Sequence, residues 1–107
     1  MGVMKTLTIN GVTYHVATSF RMVNIILAAS AWENIGDNLY CQMVMIAGIT
    51  ENSQINLTPS LEQLVIFYEK DITFVTENND GVVRIYVIGQ RPQNDYIIQA
   101  NIVEVTV

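Results

Sequence analysis

The sequence is short of the residues from which sites and staples are built. Among 107 residues there is one cysteine, Cys41, and one histidine, His15. A lone cysteine excludes an internal disulfide framework, and one Cys with one His cannot make a Cys/His zinc site. Basic residues number only five against ten acidic ones, giving a formal net charge of −5 and a pI near 4.5. Such a chain lacks the Lys and Arg that hold a phosphate backbone, so nucleic acid is not expected as a partner. Long apolar runs are also missing. The uncharged stretch Asn38 to Thr50 has 13 residues and includes Asn38, Gln42 and Gly48, well short of the roughly 20 apolar residues of a spanning helix. Lys5 precedes an alternating stretch rather than a continuous apolar one, so neither a membrane segment nor a secretory signal is expected.

What is abundant points to strands. Half of the residues are apolar, and Ile, Val and Thr total 36 against 12 for Ala and Leu together. β-branched side chains fit a pleated surface better than a helix. Asn and Gln total 16 and outnumber the 15 charged residues, so the polar surface is mostly neutral carboxamide. At 12.0 kDa the chain is the size of one domain that folds on a hydrophobic core alone. A mean hydropathy of +0.31 is apolar for a monomer of this size. The expectation is a soluble, largely β chain that covers apolar surface with copies of itself.

Local patterns divide the chain. Thr6 to Ile9 and Val12 to Val16 alternate around Asn10-Gly11, the strongest short-range hairpin signal, which places an N-terminal β-hairpin over 1–18. Residues 19–107 are then expected to form one compact unit. Phe20 to Ala29 is apolar on both alternating sets, and Val23, Ile25 and Ile26 favour strand over helix. Ala31 to Asn38 reads as a loop. Leu39 to Ala47 reads as a strand with Leu39, Cys41, Met43, Met45 and Ala47 on one face. Gln54 to Thr58 is a short strand stopped by Pro59. Ser60 looks like an N-cap with Gln63 in the capping-box position, and Leu61, Leu64, Val65 and Tyr68 follow at helical spacing, which sets a helix over 61–69. Ile72 to Thr76 and Val82 to Ile88 bracket a hairpin loop at Glu77 to Gly81, and Tyr96 to Val105 forms a last long strand. Short strands with turn signals every 8 to 12 residues predict an all-β, antiparallel, jelly-roll-like sandwich with one short helix.

Two stretches are similar to a known family. "MKTLTINGVTYHV" at Met4 to Val16 resembles the opening hairpin of fibre and baseplate proteins from phages and prophages of low-GC Gram-positive gut bacteria. "LAASAW" at Leu27 to Trp32, "PSLEQL" at Pro59 to Leu64, "FVTENNDGVV" at Phe74 to Val83 and "IGQRPQNDYIIQANIVEV" at Ile88 to Val105 resemble the terminal β-sandwich domain of tail-fibre, baseplate and head-fibre proteins. The resemblance implies a homotrimer packed about a three-fold axis, other virion proteins as partners, and a place in the virion after assembly in the bacterial cytoplasm. Longer relatives separate hairpin and sandwich by a shaft, whereas here Ala17 to Arg21 joins them directly. A short knob or capping protein is therefore expected rather than a long fibre.

Catalytic candidates are few. His15 with Ser19 or Ser30 and an Asp would satisfy a triad by count, but no G-x-S-x-G elbow is present. A partly exposed strand histidine accounts for His15, and a small buried hydrophobe for Cys41. Glu77 to Gly81 gathers oxygen ligands without the spacing of an EF-hand loop, and a hairpin turn explains it. Glu62 and Glu69 fit a solvated helix face. No cofactor, no metal and no enzymatic activity are expected; a small hydrolase is the weakest alternative.

Trp32 lies in a polar stretch with Glu33, Asn34, Asp37 and Asn38, and Tyr40 is close by. Exposed rings beside amides compose a sugar platform, so Trp32 and Tyr40 are the candidate ligand-binding residues. The competing assignment has Trp32 plugging the end of the sandwich or a subunit interface. The expected function is a structural virion component, a short trimeric knob that contributes to host-surface attachment through a glycan. The alternative is a stand-alone carbohydrate-binding module.

Overall fold

β-branched and alternating segments become eight strands in the computed structural model, which describes the backbone of residues 2–9 and 12–106 and the side chains of residues 20–104. In chain order the strands are β1 (Gly2–Ile9), β2 (Val12–Leu27), β3 (Glu33–Gly36), β4 (Leu39–Val44), β5 (Ser53–Leu57), β6 (Ile72–Asn79), β7 (Val82–Gly89) and β8 (Tyr96–Thr106). A single helix, α1 (Leu61–Glu69), lies between β5 and β6, and a 3-10 turn at Ala29–Ala31 leads into β3. The strands form two antiparallel four-stranded sheets, β1-β2-β8-β5 (sheet A) and β3-β4-β7-β6 (sheet B). This is the all-β sandwich that the turn spacing predicts.

β2 runs unbroken for 16 residues. Its first half pairs with β1, from Gly2↔Ser19 to Ile9↔Val12, and its second half with β8, from Ala17↔Thr106 to Leu27↔Tyr96. The expected boundary between residues 18 and 19 therefore falls inside one strand. The Asn10-Gly11 turn lies outside the described residues, as do the side chains of His15 and Ser19.

The core is where the inner faces meet. Ile25 and Leu27 of β2, Ile98, Ala100 and Ile102 of β8, and Val83, Ile85 and Val87 of β7 are all buried to within 3% of full enclosure. Each large aliphatic of this set stabilises the fold by about 1.5–3 kcal/mol through burial. Aromatics close one end. Phe67 of α1 meets Phe74 and Tyr96 edge-on at centroid distances of 4.9 and 5.0 Å, and Trp32 tilts against Phe74 at 6.1 Å.

The helix occupies the span that its cap dictates. The Ser60 hydroxyl accepts from the Gln63 N–H, and the Gln63 side chain accepts from the Ser60 N–H, so both halves of the capping box form. The Gln63 amide also donates to the Ile97 carbonyl at 2.8 Å, which ties the helix start to β8.

The structure corrects three local expectations. Ala31 to Asn38 is not a plain loop, because Glu33–Gly36 pairs with β4. The face of β4 with Leu39, Cys41, Met43 and Met45 is the outer one: Met43 and Met45 are exposed, while Gln42 and Val44 are buried. Gln42 can face inward because its amide donates to the Ala28 carbonyl at 3.1 Å. The loop at 77–81 shrinks to Asp80-Gly81, with φ of 52° and 85°, the two left-handed residues of a type I′ turn. Asn78 makes this tight turn possible by accepting from the Gly81 N–H and donating to the carbonyls of Thr50 and Ser53.

Candidate functional site

Because side chains alternate along each strand, the register sorts the outward residues of the sandwich into two faces of different chemistry. On sheet A, β2 turns Phe20, Met22, Asn24 and Ile26 outward, β8 turns out Ile97, Gln99, Asn101 and Val103, and β5 adds Gln54 and Asn56. No charged residue is among them. The ladder opposes Phe20 to Val103, Met22 to Asn101, Asn24 to Gln99, and Ile26 to Ile97. The face thus has apolar ends and a carboxamide centre. Sheet B differs. Glu33 opposes Cys41, and Arg84 lies between Met43 and Glu77, so charge interrupts the apolar outward residues there.

Several carboxamides elsewhere in the fold have structural work. Asn34 caps the Gly36 N–H, while Gln42, Gln63 and Asn78 bond backbone groups as described above. On the outer face of sheet A, Asn24, Gln54, Asn56, Gln99 and Asn101 find no side-chain partner among the described residues. Each carries a donor and an acceptor, so the array can pair with a surface of either kind, including a copy of itself.

The outward side of sheet B holds the one cysteine. Cys41 is half-buried there rather than in the core, a correction to the expected buried hydrophobe. Burial pushes its thiol up, and the Glu33 and Glu77 carboxylates add to this while Arg84 opposes it. Tyr86, opposite Cys41 in the ladder, donates to Glu77 at 3.3 Å. Its phenol is raised by partial burial first and by Glu77 second. A thiol held in its neutral form is a poor nucleophile, so the site has the opposite electrostatics of an activated cysteine.

Trp32 does not present a ring to ligand. It is 5% exposed and belongs to the core. The 3-10 turn causes this: extended geometry at Ala28 and again at Trp32 brackets the turn and swings the indole beneath β6, although its sequence neighbours are polar. The indole N–H and the Tyr96 hydroxyl are buried without a protein partner. Tyr40 points inward on β4 and packs half-buried against the core. The expected platform of Trp32 and Tyr40 is therefore absent, and Trp32 takes the plugging role.

Other candidates stay apart. Ser30 is exposed in the 3-10 turn, and Glu62 and Glu69 are exposed on α1. Among the described residues no three His, Cys, Asp or Glu side chains gather as a metal site. No helix among them is long and apolar enough to cross a membrane. The outer face of sheet A was missed by sequence reasoning, although its signal was present in the uncharged alternations of Phe20 to Ile26 and Ile97 to Val103.

Comparison with known proteins gives no significant match to a protein-family model, to a curated protein or to a solved structure.

Proposed function

We propose that the protein is a structural component of a virion, a short trimeric knob of fibre or baseplate type that takes part in host-surface attachment. The observation that carries this reading is the outer face of sheet A, which carries no charge among the described side chains of β2, β8 and β5, on a chain with a net charge of −5. Copies of an acidic chain repel one another over most of their surfaces. One broad face whose described outward side chains carry no charge, apolar at its ends and self-complementary at its centre, is where they can meet with least opposition of like charges. The resemblance of the hairpin and sandwich segments to phage fibre modules supplies the virion setting and the three-fold count. The alternative of a stand-alone carbohydrate-binding module loses its main support with the burial of Trp32.

Two measurements test the reading. Light scattering on the purified chain should give three times 12.0 kDa; a monomer at all concentrations removes the trimer. Mass spectrometry of particles released by a lysogen carrying the gene should find the chain in the particle fraction. Its confinement to the soluble fraction would overturn the virion assignment.

A further inference from the structure

The two long sides of the sandwich are finished differently. Where β5 meets β6, side chains cross the seam: the Thr76 hydroxyl donates to the Ile55 carbonyl at 2.8 Å, and the Asn78 amide donates to the Ser53 carbonyl at 2.8 Å. Carbonyls that would invite another strand are thereby occupied. The side between β2 and β4 is open. Among the described residues, β1 leaves β2 at Ser19, so β2 is paired with β8 alone from Arg21 to Leu27. β3 leaves β4 at Cys41, so β4 is paired with β7 alone from Gln42 to Val44. Between these two edges lies a groove of about 400 Å³, with Val23, Ile25 and Ile26 on one wall and Met43, Val44 and Ile46 on the other. A side-chain bridge marks each end. The Arg21 guanidinium donates to the Ala47 carbonyl, and the Gln42 amide donates to the Ala28 carbonyl at 3.1 Å.

We propose that this groove receives an extended polypeptide segment of a partner protein, which adds to β2 as an antiparallel strand in line with β1. The backbone sets the class of ligand. Main-chain N–H and C=O groups along a strand edge are matched in spacing by another extended chain, and β1 shows such a segment seated on this same edge a few residues upstream. The inference goes beyond the virion reading and does not depend on the number of copies in the assembly.

Side chains set the pattern of that segment. Arg21, Val23 and Ile25 share the inner side of β2. Residues of the added strand opposite Ile25 and Val23 turn into the groove towards Val44 and Ile46, so aliphatic side chains fit there. The residue opposite Arg21 meets the one charged group lining the groove, so an acidic side chain fits there. The Glu104 carboxylate, on the inner side of β8, is taken up by the hydroxyls of Thr50 and Ser53. Alternate residues extend the outer face of sheet A beside Met22 and Asn24, where neutral side chains fit. From N to C terminus the segment reads aliphatic-x-aliphatic-x-acid.

The probe is the acetylated, amidated peptide Thr-Val-Thr-Val-Thr-Glu-Thr, titrated into the isotope-labelled full chain to about 1 mM. Amide resonances of residues 21–27 and 43–47 should shift, and hydrogen exchange at 21–27 should slow. Two N-methylated versions of the peptide, blocked at alternate amides, separate strand addition from apolar adhesion. An antiparallel strand turns only every second amide to its neighbour, so one version should bind about tenfold more weakly or worse and the other should keep its affinity. Lys in place of the peptide's Glu should also weaken binding about tenfold, and Arg21→Gln should erase that preference. Absence of binding, equal loss with both methylated versions, or equal binding of the Glu and Lys peptides overturns the proposal. Amides at 21–27 already protected without peptide overturn it too, because a second copy would then occupy the edge. The peptide comparisons decide the matter on the wild-type chain even if Arg21→Gln fails to fold.

Discussion

Single residues show how context overrides sequence surroundings. Trp32 sits among polar neighbours yet fills the core beside Phe74. Trp32→Ala should cost on the order of 3–5 kcal/mol through the cavity it leaves, measured as a drop in the urea midpoint. A variant near wild-type stability would mean that the ring packs against nothing essential. Gly89 is the sharper backbone case. Its φ is 119°, and a Cβ there would stand 2.1 Å from the Asp71 carbonyl oxygen. That oxygen also accepts from the Gln90 N–H, so it cannot easily withdraw. Gly89→Ala should lower the melting temperature far more than Gly36→Ala, where the added carbon would come no nearer than 3.6 Å to Leu39.

At the scale of elements, legibility followed the strength of local chemistry. The span of α1 could be read because Ser60 and Gln63 make a reciprocal cap that depends on two residues three apart. Ser60→Ala should remove one of those bonds and cost about 1 kcal/mol, seen as a lower thermal midpoint with the fold retained. β3 could not be read, because Asn34 and Gly36 resemble loop residues and only pairing with β4 makes them a strand. The inner face of β4 was misjudged for a related reason. Met43 and Met45 are more apolar than Gln42, yet the Ala28 carbonyl satisfies the Gln42 amide inside, and the methionines face outward. The two-residue turn at Asp80-Gly81 was hidden by Asn78 and Asn79, loop-like residues that end β6 as paired strand. Of the candidate site, the apolar and amide composition was visible, but its gathering on one face depends on the register of β2, β8 and β5.

The molecule as a whole is elongated, 54 × 28 × 25 Å. On the outer side of sheet B the Cys41 thiol and the Tyr86 phenol both hold their protons more tightly than usual. The unfolded chain therefore gives up these protons first as pH rises. The contribution of these two groups to stability should be level below the ordinary thiol value of 9.0 and decline above it. Cys41→Ser should remove the thiol's share of that decline. Denaturant midpoints followed from neutral to alkaline pH would show both effects, and a wild-type midpoint that rose with pH would contradict the sign.

The long strand β2 also has a mechanical consequence. It carries β1 on one half and is laced to β8 by 11 register pairs on the other. Tension applied at the hairpin and directed along the strand would load those pairs in shear. Backbone hydrogen bonds in an antiparallel ladder lie across the strands, so under such a pull they share the load and must yield together. A peeling force would meet them one at a time. The protein is thus built to resist traction through its hairpin end, and the weaker direction is the one that lifts β2 off the sheet edge.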